Sequence, residues 1–387
     1  MDVNKNIINS DKTIKGKVSV NNEEKERYNV KFNDLFLTRT SETSDEIGLT
    51  SAFIGKDENT VFSGFILRAR PKKDNINSMF YAYYMRSNKM RNNIIKYSSI
   101  TTRALINSQN LSKLKIAVPS IKEQDKIFHM LWNFDKKIEF LNNKLKIVII
   151  FKKYLLQNLF PKSGELAPKL RFKQENGENY LEWKDRKLNE ILVEHKEKST
   201  GNEDVYSVSV YKGLVNQVEH LGRRFATKDT SKYNLVKPGD IVYTKSPTGD
   251  FPLGIIKQSR VSKNVIVSPL YGVFTPETKY LGYILNDYFE SSVNTYNYLH
   301  PIVQKGAKNT MNISNKTFLS RSLMLPIDFE EQKFIANFLF NIDKKINLIK
   351  NQIDKMDEYK KGLLQQMFVE MPFIHILILI SYKNCYR

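Results

Sequence analysis

A chain of 387 residues, 41% hydrophobic and 12% aromatic, is long enough for two ordinary domains and too apolar to be disordered. Lys and Arg number 61 against 41 Asp and Glu, and the formal charge of +20 favours a polyanionic partner, nucleic acid ahead of an anionic membrane surface. The single cysteine, Cys385, excludes a disulfide framework and a cysteine-type zinc site; the histidines are scattered, and the first residues lack the apolar core of a signal peptide, so the expectation is a cytoplasmic chain without structural metal.

In chain order, residues 1–119 read as a mixed α/β domain: a turn at Asn33, strand-like runs such as "TVFSGFILRAR" (60–70), an aromatic helical stretch at 78–94, and a closing "INSQNLSKLKIAVP" (106–119). Residues 120–160 read as one long helix. Ile127, Leu131, Phe134, Ile138, Leu141, Leu145, Val148 and Leu155 recur at alternating 4-3 spacing, broken by Lys152; Ser120 with Glu123 forms a capping-box signature, and Pro161 ends the helix. A linker (161–181) follows, then a second mixed domain (182–326) whose Pro238-Gly239 turn stands where the first has Asn33, a residue that tolerates left-handed geometry. A second long helix (327–368) carries Ile335, Leu339, Ile342, Ile346, Ile349, Ile353, Met356 and Leu363 on its seam, with Lys360 as the matching break and Asp328–Glu331 as the matching cap. The chain closes on an apolar tail, 369–387, whose run 373–380 is far shorter than the ~20 residues a membrane span needs.

The second half repeats the first. Residues 123–160 and 331–368, compared at a constant shift of 208, are identical at 16 of 38 positions, and weaker similarity extends upstream, "YNVKFNDLFLTRTSE" (28–42) against "YNLVKPGDIVYTKSP" (233–247). Two copies at so long a period mean two whole domains and not a solenoid. The seams predict that the two helices pack side by side and antiparallel. Off the seam, Ile149 and Ile150 stand where the second helix has Asp357 and Glu358, so the first helix offers a greasier face, a candidate for docking a partner.

No Gly-x-x-x-x-Gly-Lys-Ser/Thr phosphate loop and no Asn/Asp-Pro-Pro-Tyr/Phe box are present, and Pro238-Gly239-Asp240 with Lys245 lacks the second acidic residue a metal nuclease would need. No catalytic residue is proposed. DNA contact requires Lys, Arg and small polar side chains for phosphates, and bidentate Arg, Asn or Gln for base edges. The loops that qualify lie at 38–45, 97–107, 222–232, 244–250 and 304–312. From them the candidates are Arg39, Thr40, Thr102 and Arg103 in the first domain, and Arg223, Arg224, Lys245, Ser246, Lys305, Lys308 and Asn309 in the second.

The domain opening "APKLRFKQENGENYLEWKDRKLNEIL" (167–192), the Glu-Gln of each helix start, the paired Asp-Lys-Lys-Ile segments, and the helix ends "KKYLLQNLF" (152–160) and "KKGLLQQMF" (360–368) resemble the specificity subunit of a type I restriction-modification system over almost the whole chain. That resemblance implies two tandem target-recognition domains separated by two long antiparallel coiled-coil helices. It implies a non-catalytic reader of double-stranded DNA that directs partner subunits to a bipartite target. Modification (methyltransferase) subunits would bring S-adenosylmethionine, restriction (motor/nuclease) subunits would bring ATP and Mg, and this chain would hold no cofactor. Two other readings stay open: a helical protein-interaction scaffold without DNA specificity, and a degenerate specificity subunit. The second rests on the repeat, since residues 168–205 have no counterpart ahead of the first domain; an N-terminally shortened, unstable first domain and an atypical C-terminal tail are the expectation. Steep loss of affinity with salt would mark the DNA reader and separate it from the scaffold.

Overall fold

The structure is a computed structural model that describes residues 2–162, 164–218, 229–246, 248–305 and 311–369. The chain divides into two compact units, residues 1–144 with 349–387, and residues 145–348, so each long helix contributes a part to each unit.

In the first unit the core is a four-stranded sheet in the order Ile8–Asn9, Thr50–Phe53, Leu35–Thr38, Ile66–Ala69. The last three pair antiparallel, and Ile8–Asn9 adds at the edge in parallel. Strand alternation sends Leu35 and Leu37 to one face and Phe36 to the other, and both faces are covered. Leu35 and Leu37 meet Phe80 and Tyr84 of the helix Ser78–Tyr84, while Phe36 meets Val3, Val30 and Phe53. The 78–94 stretch is two helices, Ser78–Tyr84 and Asn88–Lys96, because the backbone turns extended at Ser87, with ψ 151°, before the second begins. The strand read over 60–70 shrinks to Ile66–Ala69, with Val61 making one isolated bridge to Asn29.

The second unit repeats this plan. Its sheet runs Ile255–Gln258, Ile241–Thr244, Gly272–Pro276, Leu192–Glu194, all antiparallel. Ile241 and Tyr243 face the helix Lys279–Glu290, and Val242 faces the opposite cluster with Val236, Val265 and Val267. Here the fourth strand joins the other edge, and a further strand, Lys184–Lys187, pairs with Ser322–Leu325. Trp183, just ahead of it, is buried among Leu155, Leu159, Tyr283 and Ile335.

The long helices are Ile121–Leu159 and Phe329–Val369. Every seam residue is buried or half-buried, with Leu131 and Leu339, equivalent positions of the repeat, both at 0% exposure. In the first unit the helices run antiparallel: Phe128 and Leu131 share a core cluster with Leu364 and Phe368, whereas Phe134, further along, meets Tyr359 at 5.5 Å between ring centroids. In the second unit they meet again at Lys152 and Asp343.

The capping boxes are only half made. Ser120 Oγ accepts the Glu123 amide at 3.3 Å, and Asp328 Oδ1 accepts the amides of Glu330 and Glu331 at 2.9 and 3.2 Å. Glu331 does not reach back to its cap; its fully buried carboxylate holds Arg171 of the domain opening, with Nε to Oε1 at 3.0 Å. A guanidinium that needs an anionic partner there wins over a backbone amide that Asp328 leaves to others.

Candidate nucleic-acid interface

The same turn leads into the strand Leu35–Thr38 and into Ile241–Thr244. Asp34 accepts the Lys31 amide at 2.8 Å, and Asp240 accepts the Lys237 amide at 2.7 Å. Between them Asn33 sits at φ 66° and Gly239 at φ 93°, the left-handed geometry that Asn and Gly tolerate. Asn33 also bridges to the following helix, donating from Nδ2 to Ile76 O at 2.9 Å and accepting the Ser78 amide at 2.7 Å. The second carboxylate of this position is fully engaged as well: Asp240 faces His195 Nε2 at 2.9 Å and accepts from Thr275 Oγ1 at 2.8 Å. Asp240 is therefore an anchor for the turn, as is Asp34 with Arg70 at 2.7 Å.

Each of these strands ends in a buried threonine, Thr38 or Thr244, followed by a cation and a hydroxyl: Arg39-Thr40 in the first domain, Lys245-Ser246 in the second. The repeat thus delivers a basic residue and a hydroxyl to the same structural slot twice. In the first domain Thr40 pairs with Leu105 in a small three-stranded sheet, Thr40–Ser41, Ala104–Leu105, Ser99–Ile100. Arg39 is fixed by its backbone, its amide donating to Phe65 O at 2.9 Å and its carbonyl accepting from the Ile106 amide at 3.0 Å. Thr102 and Arg103 are exposed at the tip of the adjoining hairpin. All four first-domain candidates therefore gather on one small sheet, and exposed Phe65, Ile100 and Leu105 accompany them.

In the second domain Lys245 and Ser246 line an open cleft of about 430 Å³ with Pro269, Leu270, Tyr271 and Asn315. Burial draws the Lys245 ammonium below the usual lysine range, against the opposing pull of Glu194. Lys305 ends the strand Gln304–Lys305, which pairs with Met311–Asn312 in the hairpin corresponding to 99–105. Arg223, Arg224, Lys308 and Asn309 lie outside the described residues. Tyr271, Leu270 and Asn315 were missed from sequence because three separated segments converge to place them. Among the described residues no group of three or more His, Cys, Asp or Glu is placed to hold a metal, and no helix is long and apolar enough to cross a membrane.

Ile149 and Ile150 are both exposed on the first long helix. Ile150 belongs to a larger apolar surface that includes Phe140, Ile147, Phe151 and Tyr154, the last four recurring at 7, 4 and 3 residues away from the seam. That spacing was legible and signals a second packing stripe on the same helix.

The chain matches the family model for the type I restriction modification DNA specificity domain over residues 3–149 and 180–357. It belongs to that family, with one copy of the domain in each half. A putative type I restriction enzyme MjaX specificity subunit of Methanocaldococcus jannaschii is 25% identical over 87% of this chain and 78% of the relative. The MjaVIII specificity subunit of the same organism is 24% identical over 86% of this chain and 77% of its own length. In fold, the crystal structure of the type I restriction-modification S subunit from M. genitalium aligns at a TM-score of 0.54 with 15% identity, covering 90% of this chain and 86% of that one. Two tandem recognition domains and two long helices are the architecture of this chain.

Proposed function

We propose that this chain is the non-catalytic specificity subunit of a type I restriction-modification complex and that each recognition domain reads one half of a bipartite DNA target. The observation that carries this is the duplicated slot at the end of a central strand, Arg39-Thr40 and Lys245-Ser246, held by the same Asp-anchored turn in both domains. Arginine and lysine there can meet phosphates or guanine edges, and the hydroxyls can meet either. Modification subunits supply S-adenosylmethionine chemistry, and restriction subunits supply ATP- and Mg-dependent cleavage. The exposed stripe around Ile150 on the first long helix is the surface offered to a modification subunit.

Duplexes selected from a random-sequence pool by the reconstituted modification complex test the reading. Arg39→Ala is expected to relax base preference in one half-site only, and Lys245→Ala in the other only, each by about 1–3 kcal/mol of discrimination. Blurring of both halves by either variant, or of neither half by both, would overturn the assignment of one domain per half-site. Ile150→Asp is expected to weaken co-purification of the modification subunit while leaving the circular dichroism melt of the isolated chain unchanged.

A further inference from the structure

Each long helix interrupts its apolar seam with one lysine; Lys152 is buried and Lys360 half-buried. In the second unit Lys152 reaches Asp343 of the other helix at 2.7 Å, with Glu290 at 2.6 Å and Asp287 at 3.6 Å from the recognition domain. Asp343 in turn accepts the Tyr283 hydroxyl at 2.6 Å and faces Arg260 at 2.9 Å. In the first unit the same trio recurs: Lys360 pairs with Asp135 of the other helix, Asp135 accepts the Tyr83 hydroxyl at 2.5 Å, and the Lys360 ammonium lies 5.4 Å from the Tyr83 ring centroid. Asp135 and Asp343 are the same position of the repeat, as are Lys152 and Lys360.

We propose that these two lysine–aspartate–tyrosine clusters are register pins: they permit one heptad registration of the helix pair and so set the separation at which the two recognition domains meet their half-sites. A uniform 4-3 seam of aliphatic residues does not distinguish its native alignment from one slipped by seven residues, since apolar meets apolar in either. The pins do distinguish them. Slipped one way, Lys152 faces Ala336 and Lys360 faces Phe128; slipped the other way, Lys152 faces Lys350 and Lys360 faces Asn142. In every slipped alignment the buried Lys152 and the half-buried Lys360 lose the half-buried aspartates of the facing helix, and an ammonium withdrawn from water without its partner is a costly state for a charge. Tyr83 and Tyr283 extend each pin to the recognition domain, so the domain is referenced to both helices at once. The register holds whether or not the chain reads DNA; the fixed spacing follows from the function proposed above.

Disulfide trapping in the full-length chain, with Cys385→Ser as background, reads the register directly. Phe134→Cys with Tyr359→Cys reports the native alignment, and Phe134→Cys with Gln352→Cys or with Gln366→Cys reports the two slipped ones. With both pins intact only the native pair is expected to cross-link. Replacing both lysines by Met, or both aspartates by Leu, is expected to raise slipped cross-linking at least several-fold. On the Lys152→Met background, exchanging the charges of the first unit's pin alone, Lys360→Asp with Asp135→Lys, is expected to restore the native pattern, which guards against a variant that merely unfolds; the second unit's pin is not exchanged, because Glu290 and Asp287 also face Lys152 and Arg260 faces Asp343. Cross-linking confined to the native pair in the pinless chain, or slipped cross-links equally abundant with pins intact, would overturn the proposal. Targets selected by the reconstituted complex carry the second readout: the spacer between half-sites is expected to be single-valued with pins and mixed without them. A mixed register with an unchanged spacer would leave the pins standing and count against the DNA-reading geometry instead.

Discussion

The two recognition domains agree on three strands, on the turn that enters Leu35–Thr38 and Ile241–Thr244, and on the helix laid across the sheet, but they complete the sheet from opposite sides. Ile8–Asn9 adds in parallel beside Thr50–Phe53, whereas Leu192–Glu194 adds antiparallel beside Gly272–Pro276. Their pins differ in the same spirit: Lys360 has the single carboxylate of Asp135, while Lys152 sits among three, with Arg260 close by. Where the turn and the slot after it are duplicated, Asp34 and Asp240 are kept and a cation with a hydroxyl follows in both; where only closure of the sheet or neutralisation of charge is needed, each domain has found its own solution.

The largest effect that sharpens this contrast is Lys152→Met, which leaves three carboxylates without their central cation. It is expected to cost about 3–5 kcal/mol by chemical denaturation. Lys360→Met, with one half-exposed partner, is expected to cost about 1–2 kcal/mol, and equal losses would erase the difference between the pins. Leu131→Ala and Leu339→Ala probe what the repeat holds constant. Both positions are fully buried in the seam, so each is expected to lose about 2–5 kcal/mol, with the two values close to each other.

Asp287 gives the contrast a pH signature. Burial raises its carboxyl to about 6 despite Lys152, and Asp287 stands near the place where the first domain has Arg86, whose guanidinium burial lowers to about 10. Because the folded-state value lies above the unfolded one, the contribution of Asp287 to stability is complete below about pH 4 and is lost as pH rises through about 6. Unfolding free energy measured across that window is expected to decline less steeply with rising pH in Asp287→Asn. An unchanged slope would remove Asp287 from the account. The smallest effect belongs to the shared turn: Gly239→Ala meets no steric obstacle within 4 Å and is expected to cost about 1 kcal/mol for its backbone alone. Asn33→Ala is expected to cost more than that, because it also removes two hydrogen bonds to the helix start.

Much of the architecture was legible because it rests on periodicity and duplication. The seams from Ile127 to Leu155 and from Ile335 to Leu363, the Pro161 stop, and the equivalence of Asn33 with Gly239 all follow from spacing. Arg39-Thr40 and Lys245-Ser246 came from the composition of their loops, and the structure adds that each pair follows the same strand of its domain. What escaped depends on contacts distant in sequence. Glu331 follows the capping-box spacing but spends its carboxylate on Arg171, 160 residues away, and Asn315 reaches the Lys245 cleft only through the fold. Lys152 and Lys360 were visible as interruptions of a pattern, but their partners were not, because pairing across two helices needs the registration that the pattern alone leaves open.

The Arg171–Glu331 pair has a consequence for anyone who would build chimeras from this chain. The second family match begins at residue 180, which invites a junction there. Yet Arg171 lies upstream of that point, donates to the carbonyls of Tyr180 and Leu181, and neutralises a carboxylate with no exposure at all at the start of the second long helix. A donor domain grafted at 180 onto a foreign linker would leave that anion stranded. The transplantable cassette therefore begins before Pro168, and the inheritance of a new specificity depends on carrying along a short segment that reads no base.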